Sequence, residues 1–394
     1  MRAWGPTVSA AVLLAGCRFD PGGGGASRGD DAGTVADAAG SDARQLDWWD
    51  PAYRLRIPLA IATGPTAPAG GYLGYTARLA DLDSATLIAG GQLRADCRDL
   101  RVVWWSGDAW QEIDRHLVGC GGTIDLRFAL AADLASGAID GSYYLYLGNP
   151  AATAPAALRT TNVYLWYDDA RIDRSALYEH GRFDSWGSTN NWIDTLAWSE
   201  GAYAYVRGDD QVSSYRRRVN ERDVYVEAEL VHASCYPSNM ATGLVVRGIV
   251  ASGSEGSEES DHYYASMRAE QAACGGGYAF DGDIVATVRD RTVVDGSDPP
   301  AIATGVWRAQ ALAAWGAGPT HLRFWDSDAA WTTPGWPPAG SIIADGDHAT
   351  DDHQEPGSAG VWVAQDGGAF RGVLIRRYVD PEPDVSAGAI ETAR

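Results

Sequence analysis

The sequence contains no lysine, so all 31 of its basic residues are arginine. Against them stand 52 acidic residues, which leaves a net charge of −21. A chain this acidic, with no basic stripe, is repelled by phosphate backbones, and DNA and RNA are excluded as partners. Long hydrophobic runs are missing too. No stretch approaches the roughly 18 apolar residues that a membrane-spanning helix needs. No stretch keeps an i, i+3, i+4, i+7 apolar face for long, so helices are minor. H-E-x-x-H and C-x-x-C do not occur, which removes the strongest zinc signals. One G-x-S-x-G, Gly25-Ala26-Ser27-Arg28-Gly29, falls in a spacer without the strand and helix of a nucleophile elbow. Phenylalanine is scarce, 6 residues against 16 tryptophans and 18 tyrosines, and glycine is abundant at 47. That balance predicts a loop-rich β protein with many amphipathic rings.

What is present begins at the amino terminus. Arg2 and the short apolar stretch Val8 to Leu14 read as a secretory signal. Leu14-Ala15-Gly16-Cys17 then resembles a bacterial lipoprotein box. The resemblance implies cleavage after residue 16 and acylation of Cys17, with two or more chains giving a durable anchor. Arg18 stands where an aspartate would signal inner-membrane retention in some bacteria, so the expected site is the outer membrane. From Gly22 to Arg44, 19 of 23 residues are Gly, Ala, Asp or Ser. Such a stretch cannot bury enough surface to offset its ordering entropy and reads as a disordered tether.

Four cysteines are left. Cys97 and Cys120 precede residue 157, while Cys235 and Cys274 follow it. Four cysteines allow three connectivities, and this distribution favours Cys97–Cys120 with Cys235–Cys274. Short alternating runs bounded by Gly, Asp and Pro recur along the rest of the chain, the pattern of β-strands. The entry Trp48-Trp49-Asp50-Pro51-Ala52-Tyr53-Arg54, the segment Asp99 to Val103 and the close Tyr143-Tyr144-Leu145-Tyr146-Leu147-Gly148-Asn149-Pro150 resemble the domain-of-unknown-function family numbered 2341. That family lends no established chemistry. The strands after about residue 165, among them Gly243-Leu244-Val245-Val246-Arg247 and Ser358 to Val363, resemble the concanavalin A-like lectin/glucanase superfamily, laminin-G-like members included.

The expected fold is all-β, two jelly-roll-like β-sandwiches after a lipidated flexible tether. The divisions are a signal peptide over 1–16, Cys17 and tether over 17–45, a first sandwich over 46–157, a lectin-type sandwich over 160–384 and a tail over 385–394.

Candidate sites follow from residue chemistry. A glucanase of this superfamily needs two carboxylates on one strand face, but Glu255, Glu258, Glu259 and Asp261 lie in a Gly/Ser-rich stretch that reads as a solvated loop. Asp345, Asp347, Asp351 and Asp352 crowd one segment and offer hard oxygen ligands for Ca²⁺, with a solvated acidic loop as the alternative. Sugar rings stack on indoles, and Trp331 and Trp336 sit in a Pro/Gly-rich loop while Trp186 and Trp192 flank a polar one. These four are the expected glycan contacts, with caps on the sandwich ends as the alternative. Trp307, Trp325 and Trp362 sit in strand patterns and are expected in the core. The function expected is a non-catalytic binding or adhesion module for glycans or other surface polymers, with no obligatory cofactor. A divergent glycoside hydrolase and a purely structural envelope protein are the alternatives.

Overall fold

Two-residue alternation of apolar side chains sets the strands. In β1 (Leu55–Ala62), Ile57, Leu59 and Ile61 enter a core, which leaves Arg56, Pro58 and Ala60 on the other face. The computed structural model describes residues 48–155, 160–182, 196–205, 212–232, 240–249, 261–269, 280–281, 284–286, 291–294, 296, 305–327, 331, 335–349, 355–364 and 368–393. Cys17, the tether, Trp186, Trp192, Cys235, Cys274, Asp351 and Asp352 lie outside the described residues.

After β1 come β2 (Thr76–Asp83), β3 (Arg101–Trp105), β4 (Trp110–Ile113), β5 (Arg115–Val118), β6 (Thr123–Ala129) and β7 (Ile139–Leu147). A second set runs β8 (Trp166–Asp168), β9 (Glu179–Arg182), β10 (Leu196–Ser199), β11 (Ala202–Tyr205), β12 (Val212–Glu221) and β13 (Val224–His232). It continues through β14 (Met240–Ile249), β15 (Asp261–Ala269), β16 (Phe280–Asp281), β17 (Ile284–Ala286) and β18 (Arg291–Val294). The last strands are β19 (Arg308–Trp315), β20 (Thr320–Ser327), β21 (Ile342–His348), β22 (Gly357–Ala364), β23 (Gly368–Arg377), β24 (Asp384–Ala387) and β25 (Glu391–Thr392). The fold is all-β, as expected.

The first sandwich packs the sheet β24-β1-β7-β3-β4, with β25 also on β1, over the sheet β2-β6-β5. The disulfide Cys97–Cys120 forms as expected, with an S–S distance of 2.12 Å, and ties the loop before β3 to the β5–β6 turn. The segment 385–394 is not a tail. Leu59 pairs with Ala387 and Ile61 with Val385, while Leu55 and Arg56 pair with Thr392 and Glu391. Val385 is buried in the first core, so the chain's end completes the sandwich its beginning starts. Val385 supplies the inward apolar side chain of that return strand.

The second sandwich faces β10-β11-β23-β13-β19-β20-β21 against β18-β17-β15-β14-β22-β12-β9. Val224, Val226, Ala228 and Leu230 of β13 meet Leu244 and Val246 of β14 in its core. Residues Trp48–Arg394 form one compact unit, and a seam joins the two sandwiches. β19 is buried along its whole length. Leu312 and Ala314 enter the second core, while Ala309, Ala311, Ala313 and Trp315 line the seam with Tyr225, Trp325 and Leu374. A strand covered on both faces is apolar on both, and small alanines let the opposite layer approach closely.

Candidate functional site

The Pro/Gly-rich loop does not offer its indoles to solvent. Trp331 is 7% exposed and belongs to the seam cluster with Tyr225, Trp325 and Tyr378. The half-buried Trp336 ring packs under three guanidinium groups, at 4.3 Å from Arg376, 4.9 Å from Arg127 and 5.3 Å from Arg78. Arg127 and Arg78 come from the first sandwich and Arg376 from the second, so Trp336 works as a clamp between them. Arg376 is fully buried, donates to the Gly335 carbonyl at 2.7 Å and pairs with Glu382 at 2.6 Å. Glu227 accepts hydrogen bonds from the Tyr225 hydroxyl at 2.6 Å and from the Gly335 N–H. Burial pushes its carboxyl up to about 7. A buried guanidinium and a buried carboxyl thus hold Gly335 in place beside Trp336, which overrides the exposure that the local composition predicts.

Of the four expected calcium ligands, Asp345 and Asp347 fall within the described residues, on a strand and not in a loop. Asp345 and Asp347 lie on β21, opposite Arg323 and His321 of β20. Asp345 pairs with Arg323 at 3.0 Å, and Asp347 pairs with His321. Each carboxylate has a cross-strand side-chain partner, the Arg323 guanidinium for Asp345 and the His321 ring for Asp347. Among the described residues, no cluster of three or more potential metal ligands occurs. Trp325 is in the seam core as expected. Trp362 is buried as expected, at 6% exposure, but on the face of its sheet opposite Val361 and Ala359, stacked on Tyr264 at 4.7 Å.

A different set of rings gathers on the outer face of β1, β7, β3 and β4. The register aligns Glu391, Arg56, Tyr146 and Arg101 in one row across four strands. The next row holds Pro58, Tyr144, Val103 and Glu112, and Trp105 pairs with Trp110 beyond it. Trp105 and Trp110 flank a tight turn in which Ser106 N–H donates to the Ala109 carbonyl, with Gly107 at φ +102°. From the other end, Trp48 and Trp49 fold back onto Tyr146, with ring centroids at 5.3 and 5.4 Å. The Trp49 N–H donates to the Tyr146 hydroxyl, and the Trp48 indole donates to the Tyr53 carbonyl.

The contacts are continuous: Trp105 to Trp110 at 4.9 Å, Trp110 to Tyr144 at 5.4 Å, and Trp110 to Tyr146 at 6.1 Å. Tyr146 is buried as the hub, while Trp48, Trp49, Trp105, Trp110 and Tyr144 stay half-buried. Arg56 lies 4.8 Å from both Trp48 and Tyr144 and pairs with Glu391 at 2.6 Å. Arg101 sits over Tyr53 and pairs with Glu112 at 2.9 Å. The side chains of Glu112 and Glu391 are 39% and 45% exposed, so both carboxylates can also accept from a ligand. This face combines flat rings with polar groups at its rim. The sequence signal for it is the alternation Arg101-x-Val103-x-Trp105, Trp110-x-Glu112 and Tyr144-x-Tyr146, which sets one face apart from the core.

No family model matches the chain, and no curated protein matches it. Among solved structures it is similar to the carbohydrate-binding module CBM66 from Bacillus subtilis, at 12% identity over 50% of this chain and 96% of that one, with a TM-score of 0.32. It is similar to the carbohydrate recognition domain of Emp46p at 8% identity, over 55% of this chain and 97% of that one, with a TM-score of 0.36. It is also similar to a GH43 protein from Bacillus licheniformis, at 10% identity over 68% of this chain and 47% of that one, with a TM-score of 0.36. These are likenesses of fold, and nothing about what this chain binds follows from them.

Proposed function

We propose that the chain is a non-catalytic carbohydrate-binding module of the cell envelope, anchored through lipid on Cys17, with the outer aromatic face of the first sandwich as its binding site. The observation that carries this reading is the continuous patch of half-buried rings from Trp105 through Trp110 and Tyr144 to Trp48 and Trp49. Pyranose rings present C–H faces to such surfaces, and carboxylates at the rim accept their hydroxyls. Aromatic rings left partly open to solvent in one contiguous patch mark a place where a chain meets something. Support against hydrolysis comes from Glu227. Its carboxyl has the elevated pKa of a general acid, but it is only 6% exposed and is enclosed in the seam.

The test uses the full chain and a panel of polysaccharides, with retention measured by affinity electrophoresis. Trp110→Ala and Trp49→Ala, made separately, should each weaken binding about tenfold, equivalent to about 1.4 kcal/mol, while thermal unfolding stays cooperative. The reading falls if both variants bind as the parent does. It also falls if Trp336→Ala abolishes binding with its melting temperature unchanged, which would return the site to the seam loop.

A further inference from the structure

Resting on that reading of the face, we propose that its ligand is an uncharged polysaccharide chain and not a uronic-acid or sulfated one. The arginines of the face are already engaged. Arg56 is paired with Glu391 and flanked by two rings. Its terminal nitrogen also donates to the Tyr146 hydroxyl at 3.3 Å. Arg101 is paired with Glu112, and its other nitrogens donate to the Thr153 and Leu100 carbonyls at 2.7 and 3.1 Å. Arg54, at the patch edge, donates its Nε to the Gly148 carbonyl at 2.9 Å. An incoming carboxylate or sulfate would have to compete with Glu391 and Glu112 for the Arg56 and Arg101 guanidinium groups, which are themselves buried.

Long-range forces point the same way. Each of the two pairs cancels its own charge, and the chain around them has a net charge of −21. A polyanion approaching it is repelled before contact, and the neutral rings give it nothing in return. An uncharged chain meets no such barrier. It stacks on the rings and donates its hydroxyl protons to the exposed oxygens of Glu112 and Glu391. Both charge pairs then serve as fixed hydrogen-bond acceptors, and the arginines hold those acceptors in place.

The experiment compares the full chain on a soluble uncharged β-glucan and on polygalacturonate. Ionic strength is raised from about 0.1 M to about 1 M, which shortens the screening length from roughly 10 Å to roughly 3 Å. The glucan should be retained with less than about a twofold change across that range, and polygalacturonate should not be retained. The double variant Glu112→Gln, Glu391→Gln leaves both guanidinium charges without a compensating carboxylate, and it should gain polygalacturonate retention that falls about tenfold or more at high salt. Parent protein that binds polygalacturonate in a salt-sensitive way overturns the inference and leaves the aromatic site standing. Protein carrying Cys17→Ser, and so no lipid anchor, that ignores both polymers but binds phosphatidylcholine vesicles overturns the glycan reading as well, because the rings would then be an interfacial lipid contact.

Discussion

Glu227→Gln tests the account of the seam. In the fold, burial holds the Glu227 carboxyl at about 7, against 4.5 for the ordinary side chain. The gap of roughly 2.5 corresponds to about 3 kcal/mol at about 1.36 kcal/mol per unit. The direction follows from proton counting. Between 4.5 and 7 the folded chain binds more protons at this site than the unfolded chain, so stability falls as pH rises through that window and the loss is complete above it. Tyr225 is held well above its usual value and stays protonated, while Arg376 and Arg127 keep their charge throughout. Glutamine keeps the acceptor for Gly335 and Tyr225 and removes the titration. The variant should match the parent below pH 4.5 and exceed it by about 3 kcal/mol above pH 7. His116, on the first-sandwich side of the seam, works in the opposite direction. Burial lowers it to about 4 from 6.5, so its contribution is lost as pH falls through that range. The two slopes partly cancel in the parent, which makes the difference between variant and parent the informative quantity. Urea unfolding followed by tryptophan fluorescence across the pH range measures it. A difference that stays constant with pH, or shrinks as pH rises, refutes the argument.

Two further outcomes are expected. Deleting residues 384–394 strips β24 and β25 from β1 and exposes an apolar strand edge. Burial of Val385 alone is worth about 1.5–3 kcal/mol, so the truncated chain should melt lower and self-associate in size-exclusion chromatography; an unchanged melting temperature would make the return strands ornamental. Cys17→Ser should move the protein from the membrane fraction to the soluble fraction of cells, whereas persistence on membranes after a salt wash would remove the proposed lipid anchor.

Much of the architecture was legible because it depends on local alternation. Val224, Val226, Ala228 and Leu230 face the core as their spacing predicts, and Cys97 meets Cys120. What alternation does not report is what covers the other face. Tyr225 and Glu227 share the outward set of β13, and the Pro-rich composition around Trp331 and Trp336 predicts exposure. The exposure expected of Trp331 and Trp336 fails because the first sandwich lies on that face: Arg78 and Arg127, far away in sequence, reach the Trp336 ring. Trp362 is buried as its strand pattern predicts, but a strand apolar on both sides does not reveal that Val361 and Ala359 enter the core between the sheets while Trp362 is buried on the other face. The strand at 384–387 was missed because four residues with only Val385 and the small Ala387 apolar carry almost no periodic signal.

The same long-range construction decides how the aromatic face is held. Its row Glu391–Arg56–Tyr146–Arg101 draws on the last strand of the chain, the first, and two from the middle of the first sandwich. Glu391 can reach Arg56 only if the chain, having built the second sandwich, returns to β1. The return passes through Glu382, which neutralises the buried Arg376 and accepts from the Tyr75 hydroxyl of the first sandwich at 3.0 Å. Removing that carboxylate would strand a buried guanidinium, the most expensive kind of single loss in a core. The seam and the face are therefore linked through one short C-terminal segment. A separately expressed first sandwich ending near residue 157 would lack Glu391 and the edge strand, and with them the acceptor that sets the Arg56 guanidinium between Trp48 and Tyr144.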